Sequence, residues 1–258
     1  MISIKNKVSI NKMLHAGYLL ASMFDKVLAN SIHQGMSTLA IDSLIEDYLN
    51  KNGLISKTKG YKGYQHVCCV SINDEVVHGV PSADKIIKNG DLVKIDVCAS
   101  WKGYCADMAR SFLIGDKISP KKTKLIKAAQ KALDKGIAQA QVGNRLSDIS
   151  AAIQHEVESH GFGVIRDFAG HGIGKQMHEE PEILNYGNPG QGMVLQAGMT
   201  FAIEPMITMG DYKIYITDDG WTVKTVDKSL AAHVEDTIVI TENGPKILTR
   251  NELENRIS

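Results

Sequence analysis

Four carboxylates in this 258-residue chain sit inside apolar, strand-like segments, where acids are scarce. Asp96 lies in LVKIDV beside Leu92, Val93, Ile95 and Val97. Eleven residues on, Asp107 lies in GYCADMARSF, and Trp101-Lys102-Gly103 between them reads as a hairpin turn that brings the two together across paired strands. Glu204 repeats the pattern in MTFAIEPM and Glu235 in HVEDTIVI. A buried, unpaired carboxylate is costly, so each acid needs a partner. Salt bridges to a basic residue such as Arg110 would serve Asp96 and Asp107 taken alone. Four together ask for more, because converging carboxylates repel one another, and cations between them are the simplest remedy. An oxygen-rich donor set suits two divalent ions of the cobalt, manganese, iron(II) or zinc type better than a thiolate-zinc site.

Nitrogen donors come from GHGIGKQMHEEPEI: His171 among Gly170, Gly172 and Gly174, then His178 followed by Glu179, Glu180 and Pro181. Three glycines and a proline argue against a helix, so this segment is expected to be a close-approach loop that presents a histidine to a ligand. Glu182 stands where HExxH would need its second histidine, which excludes the zinc-protease helix. His78, in NDEVVHGVP, is expected to end a strand and is followed by Gly79 as His171 is by Gly172. A lone histidine is more often structural than ligating, so the weight rests on the set.

The elements that must position these residues show a faint internal repeat. A shift of 108 positions lays Gly35 on Gly143, Ile41 on Ile149, Ile45 on Ile153, Leu49 on Val157 and Gly53 on Gly161. Each copy is an apolar stripe at i, i+4, i+8 closed by a glycine, which predicts an amphipathic helix with a left-handed cap. Upstream of each lies a second helical stretch, over 10–30 and 120–140, the latter with Pro120 suited to its first turn. The same shift lays Asp96 on Glu204 and Gly90 on Gly198. Further strand-like stretches at 67–72, 105–114, 221–226 and 233–240 suggest an α+β fold with a mostly antiparallel sheet. Its pseudo-symmetric halves span about 1–115 and 116–250.

Composition narrows the class. Lys plus Arg number 29 and Asp plus Glu 29, a net charge of zero, which removes the field of a general nucleic-acid or anionic-membrane binder. Hydrophobic residues at 43% and charged residues at 22% match an ordinary globule and not a disordered chain. Cys68, Cys69, Cys98 and Cys105 form no CxxC pair, so reduced thiols in the cytoplasm are expected. No stretch reaches the roughly 18 apolar residues of a membrane span, and the N-terminus lacks a signal-like apolar run.

In this order, NDEVVHGVP, GDLVKIDV with an Asp eleven residues later, GHGIG with MHEEPEI, GMTFAIEPM and the Glu of HVEDTIVITENGP closely resemble type I methionine aminopeptidases of the creatinase/aminopeptidase, or pita-bread, family. The resemblance covers about residues 5–250. It implies a pita-bread fold in one catalytic domain over 1–258 with no N-terminal extension. It implies that Asp96, Asp107, His171, Glu204 and Glu235 bind two divalent metal ions, Asp107 and Glu235 bridging them. It implies catalytic roles for His78, His178 and Glu204, with a metal-bridged hydroxide as nucleophile. A methionine pocket would be walled by Tyr61, Tyr64, Cys69, Met177 and Trp221, although on spacing alone Met177 and Trp221 read as ordinary packing. The implied activity is removal of the initiator methionine from nascent polypeptides when the second residue is small. The chain is expected to be a cytoplasmic monomer with no nucleic-acid or membrane partner, and transient contact with the ribosome is left open.

The sequence departs from the family in places. Lys94 replaces the usual Asn of GD-[IL]-V-N-I-D, Lys62 stands in YKGY, His233 and Asp236 flank Glu235 where Gln and His are commoner, and Met177 holds a position often aromatic. Two rivals follow: a prolidase or Xaa-Pro aminopeptidase, which shares the metal cage but usually carries a sizeable N-terminal domain, and a non-catalytic binding protein of the same fold, which would be expected to have lost ligands.

Overall fold

The computed structural model describes residues 2–251. Helix α1 (Lys7–Ser22) starts at an Asn6 cap whose side chain accepts from the Ser9 N–H, and it runs through a π-helical turn, Met23–Leu28, into a last short turn α2 (Ala29–Ser31). Helix α3 (Thr38–Lys51) is capped by Ser37 and buries Ile41, Ile45 and Leu49. Helix α4 (Pro120–Gln139) is capped by Ser119 with Pro120 in its first turn, and α5 (Leu146–Ser159) buries Ile149, Ile153 and Val157. The expected apolar stripes are thus the buried faces of α3 and α5. Gly53 and Gly161, at φ +65° and +73°, close them in the left-handed region, and Gly90 and Gly198 both sit at +87°.

Between the helices the chain forms β1 (Ile55–Ser56), β2 (Cys69–Ile72), β3 (Leu92–Trp101) and β4 (Tyr104–Leu113). After α5 come β5 (Gly163–Val164), β6 (Ala169–Gly172), β7 (Glu179–Leu184), β8 (Thr200–Ile203), β9 (Met206–Thr208), β10 (Ile214–Ile216), β11 (Val223–Thr225), β12 (Ala231–His233), β13 (Glu235–Thr241) and β14 (Gly244–Ile247). The main sheet is antiparallel in the order β1-β3-β4-β13-β8-β6-β7, with β2 also on β3 and β14 on β13. Reading outward from the seam between β4 and β13, each half contributes a pair, β4 with β3 and β13 with β8. The helices divide in the same way. Leu20, Phe24, Ile41 and Ile45 pack on Val93, Ile95, Val97 and Met108, whereas Leu125, Leu133, Ile149 and Ile153 pack on Phe201, Ile203 and Ile238. Burying an aliphatic side chain of this size contributes about 1.5–3 kcal/mol, so each half carries its own core behind the sheet.

The turn between β3 and β4 is Lys102-Gly103, at φ +47° and +78°, the conformation of a two-residue hairpin whose twist matches its strands. Two expectations need correction. The segment 169–184 is not one loop: β6 and β7 pair with each other, β6 also pairs with β8, and only 173–178 between them, which carries His178, is irregular. Its glycines are there for close approach within the sheet, since a Cβ on Gly170 would lie 2.4 Å from the Ala202 carbonyl oxygen and one on Gly172 2.1 Å from that of Glu180. His78 does not end a strand either. β2 stops at Ile72, and His78 sits at φ +58° in the loop that follows. Among the described residues no helix is long and apolar enough to cross a membrane.

Replacing Gly170 by Ala cannot be relieved without parting β6 from β8. A loss of about 1–3 kcal/mol is expected, read as a lowered urea midpoint; an unchanged midpoint would show that the strands do not meet there.

Candidate metal centre

Residues directly opposite one another in an antiparallel ladder share a face, and so do residues two apart in a strand. Asp96 faces Ala109 and Cys69, Cys98 faces Asp107, and Glu235 faces Ala109. Ala202 faces both Thr237 and His171, and Glu204 follows two residues after it. The register therefore sends Cys69, Asp96, Cys98, Asp107, Glu235, Glu204 and His171 to one face, opposite the one on which the two apolar cores pack. That face is the floor of a cavity of about 780 Å³, into which every residue singled out from the sequence opens: Tyr61, Tyr64, Cys69, His78, Asp96, Asp107, His171, Met177, His178, Glu204, Trp221 and Glu235. Cys98 and Phe168 also line it and were not foreseen. Cys98 was accessible from parity, two residues after Asp96, but Phe168 follows no period.

At the centre, ligand-type atoms of Asp107, His171 and Glu235 lie within 4.8 Å of one another. His171 Nε2 is 3.5 Å from Glu204 Oε1 and 4.0 Å from Asp107 Oδ2. Its Nδ1 lies 3.0 Å from the Gly172 carbonyl oxygen, which can only accept, so Nδ1 carries the proton and the Nε2 lone pair points at the carboxylates. Glu235 Oε1 is buried with no hydrogen-bond partner. The backbone beneath is pinned: Thr237 Oγ1 accepts from the Asp107 N–H and donates to its carbonyl, and Arg110 Nη1 donates to the Glu235 carbonyl at 2.6 Å.

Burial drives the titration of this cluster. It pushes Glu204 up to about 8 and Asp107 up to about 7, the latter helped by the Glu204 charge. Asp96 and Glu235 are raised well above the ordinary carboxylate range, first by burial and then by the charge of Asp107. Burial pulls His78, His171 and His233 down to about 4, leaving them neutral at physiological pH. Among the described residues no Lys or Arg forms an ion pair with these four acids, although Lys62 and Arg166 stand in the cavity wall. Arg110, the salt-bridge partner considered for Asp96 and Asp107, binds Asp236 at 2.7 Å instead. Asp236 lies on the opposite face from Glu235, fully buried, where Arg110, Arg250 and the Thr249 hydroxyl share its two oxygens. It therefore supports the back of the sheet. His233 does reach the site, with Nε2 3.5 Å from Glu204 Oε2.

Around this floor stand His178, with Nδ1 3.2 Å from the Tyr61 hydroxyl and its ring edge-on to that of His171, and His78, edge-on to Phe168. Tyr64 donates its hydroxyl to the Cys68 carbonyl and packs edge-on to Trp221 at 4.9 Å between ring centroids.

A buried nest of carboxylates and one aimed imidazole, with no Lys or Arg paired to the acids among the described residues, defines a metal-dependent hydrolase class. The chain belongs to metallopeptidase family M24, whose profile matches residues 11–242. It is 47% identical to a methionine aminopeptidase of Clostridium acetobutylicum over 249 residues, 96% of this chain and 99% of that one. The crystal structure of a methionine aminopeptidase from Thermotoga maritima superposes with a TM-score of 0.94 at 43% identity, covering 97% of this chain and 100% of that one. A Xaa-Pro dipeptidase from Bacillus anthracis shares the fold with a TM-score of 0.76 at 25% identity, but only 62% of its length is covered. The fold is the pita-bread fold of these enzymes, an α+β arrangement with a curled antiparallel sheet.

The raised carboxylates set a pH dependence. Unfolded, these acids lose their protons near 3.8 and 4.5; folded and without ions, Asp107 and Glu204 hold theirs to about 7 and 8. Their stabilisation is present at low pH and is lost as pH rises through those values, whereas the histidines act only below 6.5. Chelator-treated protein should thus lose thermal stability from pH 6.5 to 8, and excess divalent ion should restore it. A flat or rising profile without metal would contradict this assignment.

Proposed function

We propose that this chain is a methionine aminopeptidase that removes the initiator methionine from nascent polypeptides. The observation that carries the reading is the convergence of four acids and His171 on the floor of a cavity walled by aromatic and sulfur side chains. The donor set fits hard-to-borderline divalent ions: raised carboxylates, an orphaned Glu235 oxygen and a free imidazole lone pair all call for positive charge. Asp96, Asp107, His171, Glu204 and Glu235 would hold two such ions, of the manganese, iron(II), cobalt or zinc type. Bound there, the ions would supply Lewis acidity and bring a water's pKa towards neutrality.

The remaining work falls to the chain's own side chains. Glu204, ionised once divalent ions offset its burial and set 3.5 Å from His171 Nε2, takes the proton of the attacking water and delivers it to the leaving amine. His178, with Nδ1 engaged by Tyr61, offers its other nitrogen to the scissile carbonyl oxygen as charge develops there. His78, neutral and set on Phe168, holds the scissile amide nitrogen. Tyr61, Tyr64, Cys69, Met177 and Trp221 receive the methionine thioether, which aromatic faces and soft sulfur suit. With this activity goes the preference for a small second residue that the resemblance implies. We assign the enzyme to the cytoplasm, acting as a monomer on emerging chains, in keeping with four buried free cysteines.

Chelator-stripped protein reconstituted with each metal in turn should release methionine from Met-Ala-Ser roughly tenfold or more faster than from Met-Leu-Ser. Xaa-Pro peptides should be left intact. Glu204→Gln should lower kcat by about 10²–10⁴. Xaa-Pro cleavage would overturn the pocket assignment, and silence on every peptide despite bound metal would overturn the peptidase reading.

A further inference from the structure

We infer that Lys5, close to the start of the chain and far from the cavity in sequence, is a positioning residue of this centre. Through Glu179 it fixes the turn that carries Met177 and His178. The inference rests on the peptidase reading for what His178 does, and on geometry alone for the clamp.

Lysine is among the residues least often buried, yet the Lys5 side chain is only 4% exposed. Its Nζ lies 2.7 Å from Glu179 Oε2 and also donates to the Ser3 carbonyl at 3.1 Å, while its backbone N–H donates to the Gly198 carbonyl just before β8. The second oxygen of Glu179 accepts the N–H groups of Lys175 and Gln176 at 2.8 and 3.2 Å, which closes the turn from 174 to 179. At the turn's start the chain is wedged: a Cβ on Gly174 would lie 2.6 Å from both Lys5 Cε and Glu179 Oε1. The Gly174 carbonyl in turn accepts from the Cys105 N–H of β4 at 2.7 Å. The turn is thus gripped on one side by the sheet and on the other by a single ammonium.

What this turn presents is Met177 and His178, both in the cavity wall. The His178 ring centroid lies 4.5 Å from that of His171, and its Nδ1 meets Tyr61 across the mouth. A mostly desolvated Lys–Glu pair joining residues 174 apart in sequence contributes little net stability, because desolvation offsets its attraction. What it does supply is a fixed place for the main chain that ends in His178. Without the ammonium, the Glu179 carboxylate loses its only partner outside the turn among the described residues, and the turn can rotate about the Cys105 anchor.

The test uses the metal-loaded enzyme with Met-Ala-Ser, the variants Lys5→Met, Lys5→Arg, Glu179→Gln and the double variant Lys5→Met/Glu179→Gln. Metal affinity is followed by calorimetry and the His178 imidazole by NMR, assigned through His178→Asn. Lys5→Met and Glu179→Gln should each lower kcat roughly tenfold, since misplacing a group that acts in the transition state costs rate. KM should stay within about twofold, because binding of the ground state is little changed. The double variant should be no worse than either single one. Lys5→Arg should recover most of the rate, and manganese affinity should be unchanged throughout. The His178 signals should move in Lys5→Met and stay near their wild-type positions in Lys5→Arg. Unchanged kcat with unmoved His178 signals, losses that add in the double variant, or a loss that follows metal affinity would each overturn the inference. If the wild-type protein released no methionine, the peptidase reading would fall, and the His178 signals would still decide the clamp.

Discussion

The constraint on which the molecule depends is the burial of four carboxylates on one face of a sheet with no Lys or Arg paired to them among the described residues. Basic residues nearby are engaged elsewhere: Arg110 and Arg250 on Asp236 behind the sheet, Lys5 on Glu179, Lys94 on the Asn73 carbonyl, and, in the cavity wall, Lys62 over the Tyr61 ring and Arg166 over that of Tyr212. Carboxylates in that position either keep their protons to unusually high pH or accept cations from outside. The same tension that raises these carboxylates would give the cluster its affinity for divalent ions, so the cost in the fold and the capacity for chemistry would have one origin.

The rest of the architecture exists to hold that face together. Two helix pairs, each with its own apolar core, press on the convex side of the sheet, and the acids stand at the seam where the two halves meet. Each half supplies two acids on adjacent strands: Asp96 on β3 and Asp107 on β4, then Glu235 on β13 and Glu204 just after β8. Asp236 shows how economical the alternation is. One residue after Glu235, it points the opposite way and fastens β4 and the segment after β14 from behind, while its neighbour faces the cavity.

Much of this was legible in the sequence because the decisive spacings are local. A two-residue turn between Asp96 and Asp107 fixes their register, and helix period with a capping glycine fixes α3 and α5. The echo at 108 positions matched Glu204 to Asp96, and the register sends both to the same face. The segment around His171 was misread for a physical reason. Glycine and proline usually mark loops, but here the glycines let a strand lie against carbonyl oxygens of its neighbours, a tertiary demand that no local pattern announces. The same holds for Phe168 and for the reach of Lys5 to Glu179, which only the folded chain brings within contact. The salt bridge imagined for Arg110 failed on parity: Arg110 faces Ile95, on the opposite side of the sheet from Asp96 and Asp107.

The most direct measurement of the central claim is a calorimetric titration of chelator-stripped protein with manganese at about pH 7, repeated in buffers of different ionisation enthalpy. If the acids hold protons until external cations replace them, two equivalents will bind tightly and each titration will show net proton release. Absence of a tight divalent site, or tight binding with no proton released, would contradict the account.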